Sequence, residues 1–309
     1  MPWNPIEPPD QRGRVHVVTG STAGIGYFAA EQLAGTGAHV VLAARSPEKL
    51  GRARDSIRSQ VPGSTVSTVV LDLADLGSVR RAGTELAAFG RIDGLLLNGG
   101  TMAPAAGATT VDGLPLMLGT HVIAGVALTG LLLPTLAATG EAAGTAARIV
   151  HTSTGFVRRL KLDVDAAARP QRGFLRDYTW AKTVTELHAY ELDRRLRAAG
   201  VPVASIVAHP GIGVDAKTPA RDGVHDPRGP RRRNPFTPWA QGKDAAAWPA
   251  VRALTDPALA GGEYLGPEGG RRGAPVVLEP NPLTARADPA RVARVWDELE
   301  SLAGVPVGV

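Results

Sequence analysis

Short apolar runs alternate along the chain with longer amphipathic stretches. Val15–Thr19 is nearly all apolar and ends at Gly20, the pattern of a strand covered on both faces. Residues 24–36 then read as a helix stopped by Gly37. The same pattern predicts strands over 38–44, 66–71, 92–97, 148–152 and 201–208. Between them it predicts helices over Pro47–Gln60, 76–89 and 178–199, with a charge-free helix after the fourth strand. A helix over 239–255, an apolar segment Pro275–Leu278 and a helix over 289–302 complete the chain. Strands alternating with helices of this length imply βαβ crossovers, hence an α/β fold with a doubly wound parallel sheet. One domain is expected over residues 1–309, with 1–12 as a tail. Such sheets bind ligands at the carboxyl ends of their strands.

Two segments depart from the rhythm. Gly113 to Gly140 carries no formal charge, and 116–137 nearly satisfies a hydropathy test for a membrane span. Its glycines, Pro134 and His121, and its place in the alternation, predict a buried or subunit-interface helix instead. Residues 212–245 are rich in Pro, Gly and Arg and too long for an ordinary connection; they read either as a solvated loop or, since they directly follow a strand end, as a substrate lid, which is favoured. The arginine run 231–233 within it is either a solvated charge cluster or a grip for an anionic substrate.

Composition narrows the function. The 309 residues are 44% hydrophobic and 20% charged, enough apolar material for a core and too little charge for disorder. Aromatics supply only 5%, which argues against a nucleic-acid stacking platform. Cysteine is absent, excluding disulfides, thiolate metal sites and a cysteine nucleophile, and no metal site is expected. The net charge is +5, almost all of the basic side chains being arginine; Lys49, Lys161, Lys182, Lys217 and Lys243 are the lysines. The proline-rich start lacks the apolar core of a signal peptide, so a cytoplasmic protein is expected, with a small-molecule substrate and neither nucleic acid nor membrane as partner.

The first strand end reads TGSTAGIG. Gly20 permits a tight turn, Gly24 a close approach of backbone to a pyrophosphate, and Gly26 close helix packing. With Ser21, Thr22 and Ile25 they form a candidate dinucleotide-phosphate site at a helix N-terminus. The second strand ends in neutral Ala44 followed by Arg45, which favours the 2′-phosphate of NADP over the bare ribose of NAD. Asp72, followed by Leu73, either accepts from an adenine amine or caps the next helix. Asn98, Gly99 and Gly100 close the fourth strand and again admit a ligand to the backbone. Tyr178 and Lys182 stand four apart on one helix face, where a cation is expected to lower the phenol's pKa and fit it for proton transfer.

Together these motifs resemble the short-chain dehydrogenase/reductase superfamily, from about residue 13 to 302. TGSTAGIG is similar to its glycine turn, LLLNGG to its NNAG element, and Tyr178 with Lys182 to its YxxxK. His209-Pro210-Gly211, continuing into Ile212, is similar to the segment that closes over the nicotinamide. VVLAARSPEKL, the long stretch between Thr154 and Tyr178, the HPG spelling and GGEYLGPEG resemble the retinol-dehydrogenase-like branch. The resemblance implies a Rossmann-like fold, NADPH as cofactor, and hydride transfer between a ketone or aldehyde and an alcohol. Tyr178 would be the acid/base, and Lys182 would activate it and bind the nicotinamide ribose. Thr154 would replace the usual serine as donor to the substrate oxygen, with Ser153 as the alternative. The family's catalytic asparagine falls at His121, read as a tolerated substitution, a proton relay or a sign of drifted chemistry. His151 and Asp215 are further departures, the latter standing where relatives often carry threonine. An alternative is non-redox chemistry on the same scaffold, such as dehydration, isomerisation or cyclisation; another is a non-catalytic NADP-binding protein. The loop around Phe236 and Trp239 allows a bulky apolar substrate, and a monomer or homodimer is expected.

Overall fold

A computed structural model describes residues 3–309 except 102–104, 106, 163, 168–172 and 227–236. The arginine run 231–233 and Phe236 therefore lie outside the described residues. In the amino-terminal half, β1 (Val15–Thr19), α1 (Gly24–Gly35), β2 (His39–Ala44), α2 (Pro47–Gln60), β3 (Val66–Val70), α3 (Leu76–Ala87) and β4 (Gly94–Leu97) follow the expected alternation. The charge-free segment is α4 (Leu116–Leu118), a π turn (Gly119–Ile123) and α5 (Ala124–Ala143) in one continuous rod. β5 (Ala147–Thr152), α6 (Phe156–Leu160), α7 (Phe174–Ala198) and β6 (Val203–Ala208) come next. After β6 come α8 (Lys243–Thr255), β7 (Tyr264–Pro267), β8 (Pro275–Leu278), α9 (Pro282–Ala285) and α10 (Pro289–Ala303).

One eight-stranded sheet runs in the order β3-β2-β1-β4-β5-β6-β7-β8, parallel except for β8, which pairs antiparallel with β7. The period of two along each strand splits its side chains between two apolar layers. Val17, Val41, Leu95 and Ile149 face α3, α5, α7 and α10, while Val18, Leu42, Leu96 and Val150 face α1, α2 and α8. The order changes direction between β1 and β4, which opens the ligand crevice at their carboxyl ends.

The charge-free rod packs inside the protein, with 72% of its most apolar window buried. Its glycines explain the fit. A Cβ on Gly130 would stand 2.6 Å from the Pro306 carbonyl oxygen, and one on Gly83 of α3 would stand 2.7 Å from Leu131. Bare backbone is needed where these segments cross. α7 starts at Phe174, four residues ahead of the expected start, and so carries Tyr178 inside its second turn. Described parts of 212–245 are tied down: Val214 N donates to Gln241 O, and Arg221 makes a two-pronged ion pair with Glu31 of α1.

Candidate active site

The crevice begins with one hydroxyl. Thr19, last in β1, donates to the Leu96 carbonyl and accepts from the backbone N–H groups of Asn98 and Gly99. It fastens the ends of β1 and β4 together. Gly20 turns the chain at φ 67°, and a Cβ there would lie 2.7 Å from Gly99 Cα. Asn98 sends Nδ2 to the Thr19 carbonyl and lies where a Cβ on Gly26 would meet it at 2.6 Å. The Asn98 side chain thus props the turn from behind. α1 begins without a side-chain cap, leaving its first N–H groups for an anion. Ser21 is fully buried in the same turn, and its Oγ has no partner among the described residues.

A cleft of about 250 Å³ opens in front of this turn. Gly20, Thr22, Arg45, Asp72, Leu73, Gly99 and Gly100 line it, while Ser21, Gly24, Ile25, Gly26 and Asn98 form the turn behind. Pro210, Gly211 and Ile212 do not line it; they follow β6, where Pro210 O accepts from Gln241 and Ile212 N donates to Arg271 O. Asp72 Oδ1 accepts from Ala74 N in a local turn, and Asp75, not Asp72, occupies the cap position of α3. Arg45 is exposed at the rim, and neutral Ala44 stands beside it. The donor set, the crowded glycines and the orphaned serine hydroxyl fit a nicotinamide dinucleotide.

Tyr178 lies between two rings, stacked on Phe174 at 6.1 Å and edge-on to His121 at 5.5 Å. Thr154, two residues beyond the end of β5, is the hydroxyl that acts on its phenol. The expected lowering of its pKa is not what the structure shows. Burial pushes the phenol up to about 12, opposed by the Thr154 hydrogen bond. Lys182 does not offset this, because its Nζ is 6.0 Å from the Tyr178 ring centre and donates to the Thr152 carbonyl at 2.6 Å. Burial brings the Lys182 ammonium itself down to about 8, with Glu186 pulling it back up.

Ser153 is committed elsewhere. Its Oγ donates to Glu186 Oε1 at 2.5 Å, and Thr284 of α9 donates to Oε2 at 2.8 Å. Of the two hydroxyl candidates, Thr154 is therefore the one that faces Tyr178. Glu186 is fully buried, and burial raises its carboxyl to about 7 against the pull of Ser153 and Thr284.

His121 sits in the π turn with its ring against Gly100, so close that a Cβ there has no room. Nε2 is 2.7 Å from the Thr101 carbonyl, which only accepts, so Nε2 carries the proton and Nδ1 is bare. Burial, and then Lys182, hold its pKa down near 3. It is a neutral ring that fixes the strand end after Gly100. His151 faces away from the cleft: it meets His188, which stacks on Trp296 in the core. Asp215 is paired with Lys243, Nζ to Oδ1 being 2.5 Å.

Residues 14–159 match the family model for short chain dehydrogenase. A polyprenol dehydrogenase of Mus musculus is 34% identical to this chain, over 98% of this chain and 88% of its own length. The chain belongs to the short-chain dehydrogenase/reductase family. A human dehydrogenase/reductase SDR family member 13 is 33% identical over 96% of this chain and 75% of its own length. These relatives bear out the retinol-dehydrogenase-like resemblance and make this short-chain dehydrogenase an oxidoreductase by family. A solved structure of an uncharacterized protein from Mycobacterium paratuberculosis is 28% identical and covers 99% of both chains at TM-score 0.76. Sequence reading of this family member missed Thr19, Glu186 and Lys243. Thr19 had a signal, standing last in β1 before the turn; Glu186 and Lys243 become visible only when α7, α9 and the segment after β6 are brought together.

Proposed function

We propose that the protein is an NADP-dependent oxidoreductase that interconverts a ketone or aldehyde and an alcohol. The observation that carries this is the convergence of Tyr178, Thr154 and Lys182 where α7 meets the end of β5, with His121 joining them to the crevice, its ring meeting Tyr178 on one side and Gly100 of the crevice wall on the other. The turn and Arg45 would hold the dinucleotide phosphates, and Lys182 the nicotinamide ribose. Bound NADPH supplies the hydride for reduction, and NADP accepts it for oxidation.

The side chains then handle the substrate oxygen and one proton. Thr154 and Tyr178 hydrogen-bond the carbonyl and fix it in place. As negative charge develops on that oxygen, Tyr178 gives it the phenolic proton, and a carbonyl plus hydride plus proton becomes an alcohol. A phenol held high in pKa stays protonated at neutral pH and so is loaded for reduction. The ammonium of Lys182 must turn from the Thr152 carbonyl toward the phenolate as it forms, which is where its charge lowers the barrier.

A large apolar substrate is favoured. Phe174 and Leu175 are 45% and 43% exposed on the turn of α7 that precedes Tyr178, an apolar rim at the reacting phenol. The polyprenol named for the 34%-identical relative is such a molecule. The test is a fluorescence titration with NADPH and NADH, followed by a panel of hydrophobic carbonyls and alcohols. NADPH should bind at least about tenfold tighter, ~1.4 kcal/mol. Equal affinities would remove Arg45 from the account.

A further inference from the structure

Asp215 and Lys243 meet over the phosphate turn. Lys243 opens α8, and its side chain reaches across to α1: a Cβ on Gly24 would lie 3.6 Å from Lys243 Cδ and 3.9 Å from Nζ. The lysine is held along its length. Its backbone N donates to Thr218 Oγ1 at 3.0 Å, and its Cγ would lie 3.4 Å from a Cβ on Gly213. Three segments thus converge on one ammonium: the turn after β1, the stretch after β6 and the start of α8.

A cation beside a helix N-terminus is repelled by the positive end of the helix dipole. The Asp215 carboxylate, 2.5 Å from Nζ, compensates that repulsion. A second observation points to an anion at the same turn. The Ser21 hydroxyl is fully buried there without a partner among the described residues, although a buried hydroxyl normally has one. A phosphate beside the turn would satisfy the hydroxyl, the helix end and the ammonium together.

We propose that Lys243 is a phosphate-binding residue for the dinucleotide, and that Asp215 is an internal counter-anion holding its ammonium over the turn until the pyrophosphate takes that place. This rests on the dinucleotide reading of the crevice. A pyrophosphate carries two charges against one for the carboxylate, so the exchange favours the ligand. Asp215 has a side chain 50% exposed and is solvated when released, while that of Lys243 is only 27% exposed and stays at the turn. Cofactor affinity is then set by a competition inside the protein, with Asp215 lowering it.

The experiment is calorimetric titration of the full chain with NADPH, and with adenosine 2′-monophosphate, which lacks the pyrophosphate. Lys243→Met keeps the packed stem and should weaken NADPH about tenfold or more, ~1.4 kcal/mol. Lys243→Arg should restore most of the affinity. Asp215→Asn should tighten NADPH about threefold to tenfold, a gain that misfolding does not produce. Adenosine 2′-monophosphate should change less than twofold in every variant. Binding of NADPH by the unaltered chain, with both Lys243→Met and Asp215→Asn within twofold of it, overturns the competition and leaves the cofactor reading standing. Equal losses for both probes in Lys243→Met also overturn it, marking a general structural defect. If the unaltered chain binds neither NADPH nor NADH, both readings fall.

Discussion

Replacing Glu186 with Gln should change the pH dependence of stability in a direction set by the burial of one carboxyl. Burial holds this group at about 7 in the folded protein, against an ordinary value of 4.5. Because the folded value is the higher one, the folded state keeps the proton longer than the unfolded chain does. Its contribution is fully present below pH 4.5 and is lost as the pH rises through 7. At 1.36 kcal/mol per pH unit, the loss between pH 5 and pH 8 comes to about 2.5 kcal/mol. The buried histidines act oppositely. His16, His188 and His209 are held near 4 and His121 near 3, so the unfolded chain takes up their protons first and stability climbs with pH up to about 6.5. The raw curve of the unaltered protein therefore hides Glu186, and the difference from Glu186→Gln reveals it. Gln keeps a carbonyl oxygen for Ser153 or Thr284 and has no proton to lose. Thermal unfolding followed by circular dichroism should show the unaltered protein losing roughly 5 °C relative to Glu186→Gln between pH 5 and pH 8. Parallel curves for the two proteins would refute the reasoning.

Other outcomes follow from the same geometry. Thr154→Val keeps the volume and removes the donor, so kcat/KM on any accepted carbonyl should fall about 10²-fold to 10³-fold with NADPH affinity unchanged. Thr154→Ser should restore it. Arg45→Gln should weaken NADPH by about tenfold and leave NADH nearly unaffected, read by fluorescence titration. His121 stays neutral with a pKa near 3, so His121→Asn should leave the pH–rate profile between pH 5 and 8 unchanged; a lost limb would make it a proton relay. Gly26→Ala would press a methyl group onto Asn98 Nδ2 and the Gly20 carbonyl, destabilising the fold by about 1–3 kcal/mol and weakening NADPH as well.

Much of the molecule was legible in the chain, because strands covered on both faces write themselves as apolar runs. β1 and α2 matched their expected limits, and β2 to β6 fell within two residues of them. β7 was missed: its four residues lie among glycines and prolines, and partners on both sides supply the order its sequence lacks. The glycine turn was readable since only glycine survives where Gly20 meets Gly99. Charge states were not. Spacing placed Tyr178 beside Lys182, yet burial and the Thr152 carbonyl, both tertiary facts, decide that the phenol is raised and where the ammonium points. His151 stood out as a departure from the family pattern in β5, and the pleat turns it into the layer that holds Trp296. Asp215 looked like an anomaly until α8 brought Lys243 to it.

The most direct test of the central claim is a paired assay of the unaltered protein and Tyr178→Phe on one accepted hydrophobic carbonyl. Nicotinamide absorbance and alcohol product are followed together, and NADPH affinity is measured separately. The account predicts one NADPH consumed per alcohol formed, a loss of about 10³-fold or more in kcat for Tyr178→Phe, and NADPH affinity within about twofold of the unaltered protein. Full turnover by Tyr178→Phe, or product formed without loss of nicotinamide absorbance, would contradict it.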